Sequence, residues 1–398
     1  MPLILRPIDL SPGMVLKDPI RKGSATLLPA GKALTEFDID RLCKKWPQSL
    51  VYIVDAQVDG VAHLEEPIDH EANEQLQLRS IEAADFVSHC WQDGGFTPAQ
   101  SAELQALVEK AFESLKRTPI HQASRKIGYS SRHYLTDHIA RTFYYSLLLA
   151  ERSRAWVVRQ RKRDSSVSGL SDHVAGNLVP LGLGALLLDG GMSQIPNLEV
   201  SGPVSEAKQK LVMNHVDVSL AMLPPGVPSL VKTVVASHHE NLDGSGYPKH
   251  LSKDRVHVFS RIVRIADSFD AGTSPRPWRQ AKSLVQVLWE MSRYGERAGQ
   301  YDSELVDMFM ELMPPLPVGT LLQMQDGYFA AVVGQTRNPF KPKVVLLMDP
   351  KRERVSASEI DQAIDLSQPK SPQIRSLHDK PLDFLYSDLK VPDRTHAA

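Results

Sequence analysis

Residues 238–248 read HHENLDGSGYP and join two adjacent histidines to acidic residues and a glycine-rich turn. Neutral histidine is the commonest metal ligand in proteins. Successive side chains on a helix point about 100° apart, so His238 and His239 suit two different metal ions better than one. Glycines allow a tight turn and a close backbone approach to a ligand. The stretch predicts a metal or phosphate site; the alternative is a helix end with two solvated histidines and a Gly-Pro loop.

The same stretch resembles the signature of the HD-GYP family, a bacterial branch of the HD metal-dependent phosphohydrolases. The family pattern is roughly His-His-Glu-x-x-Asp-Gly-x-Gly-Tyr-Pro, and every fixed position is met. The resemblance covers residues 125–310 and implies an HD-type helical bundle. It also implies a divalent metal cofactor of two ions. Imidazole and carboxylate ligands suit iron or manganese.

The resemblance implies metal ligands that are spread along the chain. Asp189 follows an apolar run and is expected to bridge the two ions. His215 and His238 are expected to complete the shell of one ion, while His138 and Asp267 hold the other. His239 is expected near the second ion or a third. The implied metal ligands are His138, Asp189, His215, His238, His239 and Asp267.

Further residues are implied for catalysis and substrate binding. A planar guanidinium binds phosphate oxygens well, so Arg276 and Arg279 are candidates for phosphate contact, with a salt bridge as the alternative. Glu240 and Asp243 are expected to orient the histidines, and Asp270 to act as a cap or salt-bridge partner. The implied catalytic residues are Asp189, His239 and Tyr247. The implied substrate-binding residues are Gly246, Tyr247, Pro248, Arg276 and Arg279.

Two positions depart from the family pattern. Leu188 stands where the family has its name-giving histidine, and Met192 stands where it has a lysine. Because leucine cannot coordinate a metal ion, one ion is expected to have a weaker or more open set of ligands. Methionine also removes a cation that would help to hold the substrate phosphate. One side of the predicted site is therefore incomplete, while the other side is intact.

The resemblance implies two functions that share a ligand and differ in its fate. The first is a metal-dependent phosphodiesterase that hydrolyses cyclic di-GMP to pGpG or GMP in bacterial second-messenger signalling. The second is a catalytically degenerate module that binds cyclic di-GMP or metal and signals through a protein partner, such as a GGDEF-type protein. We favour the enzyme. A phosphohydrolase that acts on another nucleotide is a more distant alternative.

The composition is that of an ordinary globular protein, with 42% apolar and 23% charged residues. A net charge of −1 gives no overall field that favours DNA, RNA or an anionic membrane. Cys43 and Cys90 are far apart, as expected of reduced thiols in a reducing compartment. Neither a signal peptide nor an apolar run of roughly 18 residues is apparent. We therefore expect a cytoplasmic protein without membrane insertion, with a homodimer as a further expectation.

The distribution of apolar residues predicts a mainly α protein with small flanking β modules. Strand-like runs near the N-terminus surround a helix predicted from Thr35 to Lys45 with Thr35 as its cap. Helical spacing dominates from about residue 74 to 313. A polar linker is predicted at 59–73, and a solvated loop at 159–166. The predicted segments are 1–65, an N-terminal α+β module; 66–120, a linker and leading helices; 121–313, an HD-GYP-like helical core; 314–366, a small β appendage; and 367–398, an extended tail.

Overall fold

The computed structural model divides the chain into two compact units. One unit combines residues 1–67 with residues 314–398, and the other consists of residues 68–313. The two flanking modules, which the sequence pattern presents as separate, thus belong to one unit. The predicted boundaries at residues 65, 120 and 366 stay predictions. The structure describes residues 2–22, 25–47, 49–55, 58, 70–117, 133–164, 169–195, 206–276, 279–293, 295–356 and 362–386. Most of the predicted linker and the last residues of the tail, 387–398, lie outside them.

Small antiparallel sheets make up most of the first unit. Its strands are β1 (Leu3–Leu5), β2 (Val15–Leu16), β3 (Ile20–Lys22), β4 (Ala25–Leu28), β5 (Val51–Val54), β6 (Leu321–Met324), β7 (Phe329–Gly334), β8 (Lys343–Met348), β9 (Ile364–Asp365), β10 (Ile374–Leu377) and β11 (Lys380–Pro381). The first sheet has the order β1-β5-β2, and β3 pairs with β4. The largest sheet has the order β11-β10-β6-β7-β8-β9.

Segments from both parts of the chain meet in this unit. The backbone N–H of Ile4 donates to the carbonyl oxygen of Gly319 at 2.7 Å, and Ile4 forms a parallel bridge with Thr320. Gly319 has a φ of 88°, and a Cβ added there would lie 2.2 Å from the carbonyl oxygen of Pro2. Glycine alone tolerates both conditions. The close crossing of the two segments therefore depends on glycine at this position.

Helix α1 (Glu36–Lys45) also belongs to the first unit and begins where the sequence predicts. The hydroxyl of Thr35 accepts from the backbone N–H of Asp38, whose carboxylate accepts from the backbone N–H of Thr35. Lys32 donates to the same carboxylate at 2.7 Å and, against the effect of burial, lowers the pKa of Asp38 to about 2. A capping box is a local signal, so the sequence alone could place the start of this helix.

Strands β10 and β11 lie in the region for which the composition predicts an extended tail. Ile374 is fully buried in β10, which pairs with β6. The short stretch IRSL carries only two apolar residues and is bordered by serine, proline and charged residues. Its strand character comes from pairing with a distant strand, which a local pattern does not reveal.

Helices make up the described part of the second unit, and no strand occurs among its described residues. The helices are α2 (His70–Gln92), α3 (Pro98–Arg117), α4 (Tyr134–Arg152), α5 (Arg154–Asp164), α6 (Asp172–Ala175), α7 (Val179–Leu187), α8 (Glu206–Ala221), α9 (Ser229–Ser237), α10 (Val258–Thr273), α11 (Leu284–Met291) and α12 (Ser303–Leu312). The prediction of a mainly α protein with a helical core and small β modules is confirmed.

Helix α4 lies at the centre of the helical unit. Every residue from His138 to Ala150 is buried, and the helix packs against α2, α7 and α10. Helix α7, with the sequence VPLGLGALL, is apolar on all sides and equally buried. Helices of this kind form the core of a protein, and polar groups on them need partners inside it. Such partners are found where α4 meets the end of α7 and α10.

One segment of this core, Asp172–Gln194, is long and apolar enough to cross a membrane by length and composition alone. It covers α6, α7 and the 3-10 turn Gly190–Gln194. In the structure 78% of its apolar window is buried inside the protein. Its hydropathy is therefore accounted for by packing against the neighbouring helices.

The predicted loop at 159–166 is wrong for its described residues, 159–164, which belong to α5. Arg161 is buried there, and its Nη1 donates to the carbonyl oxygens of Val174 and Ala175. The guanidinium lies 4.7 Å from the centre of the Phe259 ring. Tertiary contacts thus bury a charge that the local pattern presents as solvated.

Candidate metal centre

Six side chains from five elements meet inside the helical unit. They come from α4, the end of α7, α8, the end of α9, and α10. The side chain of His239 is 18% exposed, and the other five are at most 7% exposed. The six are His138, Asp189, His215, His238, His239 and Asp267. The fold thus brings together all of the residues named from the sequence as metal ligands; that they bind metal stays a prediction.

The six residues form two groups that share Asp189. One group combines Asp189 with His215, His238 and His239, and the other combines it with His138 and Asp267. Oδ1 of Asp189 lies 3.2 Å from Nε2 of His215, and Oδ2 lies 3.2 Å from Nε2 of His138. The two oxygens of one carboxylate therefore face two different sets of ligands. This is the arrangement needed for a carboxylate that bridges two ions.

The rings of His215 and His238 direct their Nε2 atoms at each other, 3.1 Å apart. Nδ1 of each ring donates to a backbone carbonyl of its own helix, that of Val212 and Val235 respectively. A neutral imidazole with its proton on Nδ1 has a bare lone pair on Nε2. Burial and the neighbouring His215 lower the pKa of His238 to about 4, so its ring is neutral at pH 7. Asp189 raises the pKa of His215 against the effect of burial, so a cation shared by the two nitrogens would displace a proton from Nε2 of His215.

His138 is held by carboxylates on both sides of its ring. Nδ1 lies 2.6 Å from Oδ2 of Asp270, and Nε2 lies 3.1 Å from Oδ1 of Asp267. Burial opposes protonation of His138, but Tyr134 and the three surrounding carboxylates raise its pKa well above the usual value. A metal ligand must be deprotonated, so an ion would replace the proton on Nε2. The acidic setting fits a divalent cation.

Asp270 orients His138 and is itself fixed by Arg141, which donates to its other oxygen. A carboxylate that holds the second ring nitrogen of a metal-bound histidine sets its tautomer and orientation. The interpretation of Asp270 as a salt-bridge partner agrees with these contacts, but its bond to His138 was not predicted. The bond joins α10 to α4, and its partners are 132 positions apart in the sequence.

Tyr247 lies beside His239 at the edge of the centre. Their ring centroids are 4.6 Å apart with an angle of 25° between the planes. Burial raises the pKa of Tyr247 well above its usual value, so the hydroxyl keeps its proton and can donate a hydrogen bond. Burial, His238 and Arg264 lower the pKa of His239 well below its usual value. Its ring is therefore neutral, as metal binding requires.

The turn between His239 and Pro248 is closed by tight backbone packing. A Cβ on Gly246 would lie 2.4 Å from the carbonyl oxygen of His239, so glycine is required there.

The expectation that Glu240 orients the histidines is wrong: its carboxylate accepts from the backbone N–H groups of Lys249 and Leu251. Asp243 accepts from the backbone and hydroxyl of Ser245. Pro248 is exposed, and the predicted substrate contacts of Gly246 and Pro248 stay predictions.

An apolar cluster occupies the side of the centre where the family has a lysine. Met192 packs there with Ile195, Leu135 and Val212, which we call the apolar cluster. Three of its members lie three residues from a predicted ligand: Leu135 before His138, Met192 after Asp189, and Val212 before His215. Leu188 is 1% exposed. The substitutions on this side are thus part of a packed core that holds the ligand-bearing elements together.

A cleft of about 290 Å³ opens beside the centre and is lined by His239 and Asp267 at one end. Arg276 and Arg279, the predicted phosphate contacts, also line it, whereas Gly246, Tyr247 and Pro248 do not appear in its described lining. Three further cations line the cleft and were not predicted from the sequence. They are Arg264, Lys282 and Arg297. Arg264 could have been found, because it lies three residues before Asp267 and therefore on the same helix face.

The sequence of this region matches a known protein family. Residues 171–305 match the HD domain, and the match contains five of the six clustered residues but begins after His138. The region around the candidate two-metal centre is therefore similar to the HD domain. The resemblance inferred from residues 238–248 is confirmed.

Curated relatives are bacterial phosphodiesterases of cyclic dinucleotides. The chain is 28% identical over 190 residues to a cyclic di-GMP phosphodiesterase of Pseudomonas aeruginosa, covering 46% of this chain and 44% of that protein. It is 31% identical over 159 residues to 3′3′-cGAMP-specific phosphodiesterase 1 of Vibrio cholerae, covering 37% of each. It is 30% identical over 133 residues to a cyclic di-GMP phosphodiesterase of Thermotoga maritima, covering 32% of this chain and 36% of that protein. The chain thus matches less than half the length of these relatives.

A solved structure, described as an HDG"Y"P protein from Bdellovibrio bacteriovorus, resembles the chain with a TM-score of 0.43 and 13% sequence identity. The alignment covers 79% of this chain and 99% of that one. At this score the likeness supports no argument about function.

Proposed function

We propose that the chain is a metal-dependent phosphodiesterase that hydrolyses a cyclic dinucleotide. The observation that carries the proposal is the position of Asp189, whose two oxygens face two separate ligand groups. Two divalent ions held by these residues would supply an activated water and neutralise the charge of the phosphate being cut. Iron and manganese are the ions that the donor set suits best.

The residues of the chain have separate roles in metal binding. His215, His238 and His239 would hold one ion with Asp189, which differs from the expectation that His239 lies near the second ion or a third. His138 and Asp267 would hold the other. Asp270 keeps the His138 ring in place for this role. These groups are buried before any ligand arrives, so little reorganisation is needed when substrate binds.

Substrate contacts come from the edge of the centre. Arg276 faces the cleft, and its guanidinium lies 5.4 Å from the centre of the Tyr134 ring, which stacks on His138. This places its positive charge beside the candidate metal ligands, where the phosphate that reacts would lie. The protonated hydroxyl of Tyr247 is a donor for the bound nucleotide. Gly246 and Pro248 shape the turn that presents it.

Cyclic di-GMP is the first substrate to test, because relatives that match the chain are named for it. The 3′3′-cGAMP-specific relatives make that dinucleotide the second. The experiment is incubation of manganese- or iron-loaded protein with each dinucleotide and separation of linear products. We expect turnover that is abolished by His238→Ala and by Asp267→Ala. Asp217→Asn, an exposed change two residues after His215, is the matched control and should leave turnover unchanged.

The second candidate is a binding module that signals through a protein partner. The buried Leu188 and Met192 favour it, since they remove a ligand and a cation from one side of the centre. Binding without turnover by the wild type, together with turnover gained by Leu188→His, would overturn the enzyme proposal and support this one. A GGDEF-type partner, a homodimer and a cytoplasmic location stay predictions.

A further inference from the structure

The cleft beside the metal centre continues well past the metal ligands. One face of α10 forms its floor, from Arg264 through Asp267 to Gly272. Gly272 lies about 7.5 Å further along the helix axis than Asp267. A Cβ at Gly272 would lie 2.7 Å from the Val287 side chain, so glycine lets α11 pack closely at that point. The far end of the cleft is therefore walled by α11, away from the candidate metal ligands.

Arg276 and Arg279, the two arginines of the RPWR segment, lie at different ends of this cleft. Arg276 lies over Tyr134, beside the metal centre. Arg279 donates a hydrogen bond to the carbonyl oxygen of Ala271 on the floor of the cleft. It also interacts electrostatically with the charges of Arg297 and Glu290. Their backbones are joined by two hydrogen bonds, from each N–H to the other's carbonyl oxygen. One short turn thus presents a guanidinium to each end.

Four charged residues define the distal end of the cleft, which we call the distal subsite: Arg279, Lys282, Glu290 and Arg297. Glu290 is 8% exposed, and both of its oxygens accept from the ammonium group of Lys282 at 2.7 and 2.8 Å. This pair cancels one positive charge. The described hydrogen bonds of Arg279 and Arg297 go to neutral oxygens, those of Ala271 and Tyr301.

The subsite therefore carries a surplus of positive charge inside a partly enclosed space. Two guanidiniums remain after the Lys282–Glu290 pair is set aside. Burial and the nearby Arg276 lower the pKa of Arg279, whereas Tyr301, Glu290 and Glu296 raise the pKa of Arg297 against the effect of burial. An anion bound between the guanidiniums would relieve the repulsion between the arginines. Phosphate oxygens match the planar donor fork of arginine.

We propose that the distal subsite binds the second phosphodiester of a cyclic dinucleotide, the one that is not being cut, through Arg297 and Arg279. This rests on the proposed function and deepens it, because it selects substrates with two phosphates over those with one. The phosphate at the metal centre is held by the ions and Arg276. The other phosphate lies toward α11, where the surplus charge is found.

Binding of two hydrolysis-resistant phosphorothioate ligands to the manganese-loaded protein tests the proposal. One is the analogue of cyclic di-GMP, with two phosphates, and the other is the analogue of 3′,5′-cyclic GMP, with one. Loss of a charge-assisted hydrogen bond weakens binding by about tenfold to a hundredfold. Calorimetry should show this loss for Arg297→Gln with the dinucleotide, while affinity for the mononucleotide stays within about twofold.

Two further variants control for charge and for folding. Arg297→Lys keeps the positive charge and should recover most of the lost affinity. Arg293→Gln removes an exposed arginine just after α11 that pairs with Asp307 and does not line the cleft, so it should change neither affinity. An equal loss for both ligands in Arg297→Gln would mean that Arg297 acts on the fold or on the reacting phosphate. That result, or no loss for either ligand, overturns the proposal.

The binding measurement also separates this proposal from the proposed function. In one outcome the wild type binds the dinucleotide, Arg297→Gln weakens binding of the dinucleotide only, and no linear product forms. This outcome supports the distal subsite and contradicts the proposed enzymatic function. In another outcome the wild type cleaves the dinucleotide, and Arg297→Gln binds it as tightly as the wild type does. This outcome supports the proposed enzymatic function and contradicts the distal subsite. A wild type that binds neither analogue overturns both.

Discussion

Nδ1 of His138 lies 2.6 Å from Oδ2 of Asp270, and this buried contact joins α4 to α10 inside the candidate metal centre. The carboxylate fixes the ring so that Nε2 faces Asp189 and Asp267. A metal-binding histidine commonly depends on such a partner for its tautomer and orientation. Asp270 is therefore expected to control metal affinity without touching the ion.

Asp270→Asn should weaken the binding of one divalent ion by about tenfold to a hundredfold, because the neutral amide no longer holds the ring as a carboxylate does. Competition with a chromogenic chelator measures this affinity. Asp217→Asn on the exposed side of α8 is the control. Unchanged affinity in Asp270→Asn would show that His138 is oriented by packing alone.

The two ligand groups should bind their ions with different strengths. One group has four protein ligands. The other has three, because leucine occupies position 188, where the family has a histidine. Metal titration of the wild type should give two dissociation constants. His215→Ala should remove the tighter event and His138→Ala the weaker one. Leu188→His should tighten the weaker event, since an added imidazole completes its ligand set. A single class of site in the wild type would contradict this picture.

Met192→Lys should destabilise the helical unit by about 3 kcal/mol, because it places a charge inside the apolar cluster. Met192→Leu keeps an apolar side chain of similar volume and should cost less than about 1.5 kcal/mol. Urea unfolding of both variants measures the difference. Equal stabilities would mean that the side chain of the lysine reaches the cleft beside the candidate metal centre. In that case a lysine fits at position 192 without repacking of the apolar cluster.

The stability of the helical unit should depend on the protonation of His257, which caps α10. Its Nδ1 accepts from the backbone N–H of Phe259 at 3.1 Å. Burial, then Arg161 and Arg261, lower the pKa of His257 to about 4. A free histidine has a pKa near 6.5. Between these values the unfolded chain binds a proton that the folded chain excludes, so stability is complete above about pH 6.5 and falls toward pH 4.

His257→Asn keeps a side-chain acceptor at the cap and removes this titration. On lowering the pH from 7.5 to 5, the wild type should lose about 2 kcal/mol more unfolding free energy than the variant. Urea unfolding at both pH values measures this, and the other titrating groups contribute equally to both proteins. Parallel losses would show that His257 is accessible to protons in the folded state.

Local signals predicted some features of this chain well. The Thr35–Asp38 capping box set the start of α1, because its partners are three residues apart. The HHENLDGSGYP stretch indicated the HD-type core, because its residue types occur together at fixed spacing. The apolar run before Asp189 pointed to an aspartate at the end of a buried helix.

Other features depend on contacts between distant positions. Arg161 is buried by the carbonyl groups near the end of α6 and by Phe259. The basic residues around it therefore wrongly predicted a solvated loop. Strand β10 exists because it pairs with β6. The same holds for the cations of the distal subsite. Lys282 and Arg297 have no recognisable spacing and meet only because α11 folds back on α10 at Gly272.

The sequence by itself determined the resemblance to the HD domain and the six residues that meet in the candidate metal centre, because residue type and spacing are sufficient for both. The tertiary structure decided how these residues are shared. It directed the two oxygens of Asp189 to different groups, assigned Asp270 to His138, and filled the lysine position with the apolar cluster. Coordination and charge depend on distances of a few ångströms between side chains that lie far apart in the chain. Only the packing of the helices sets those distances.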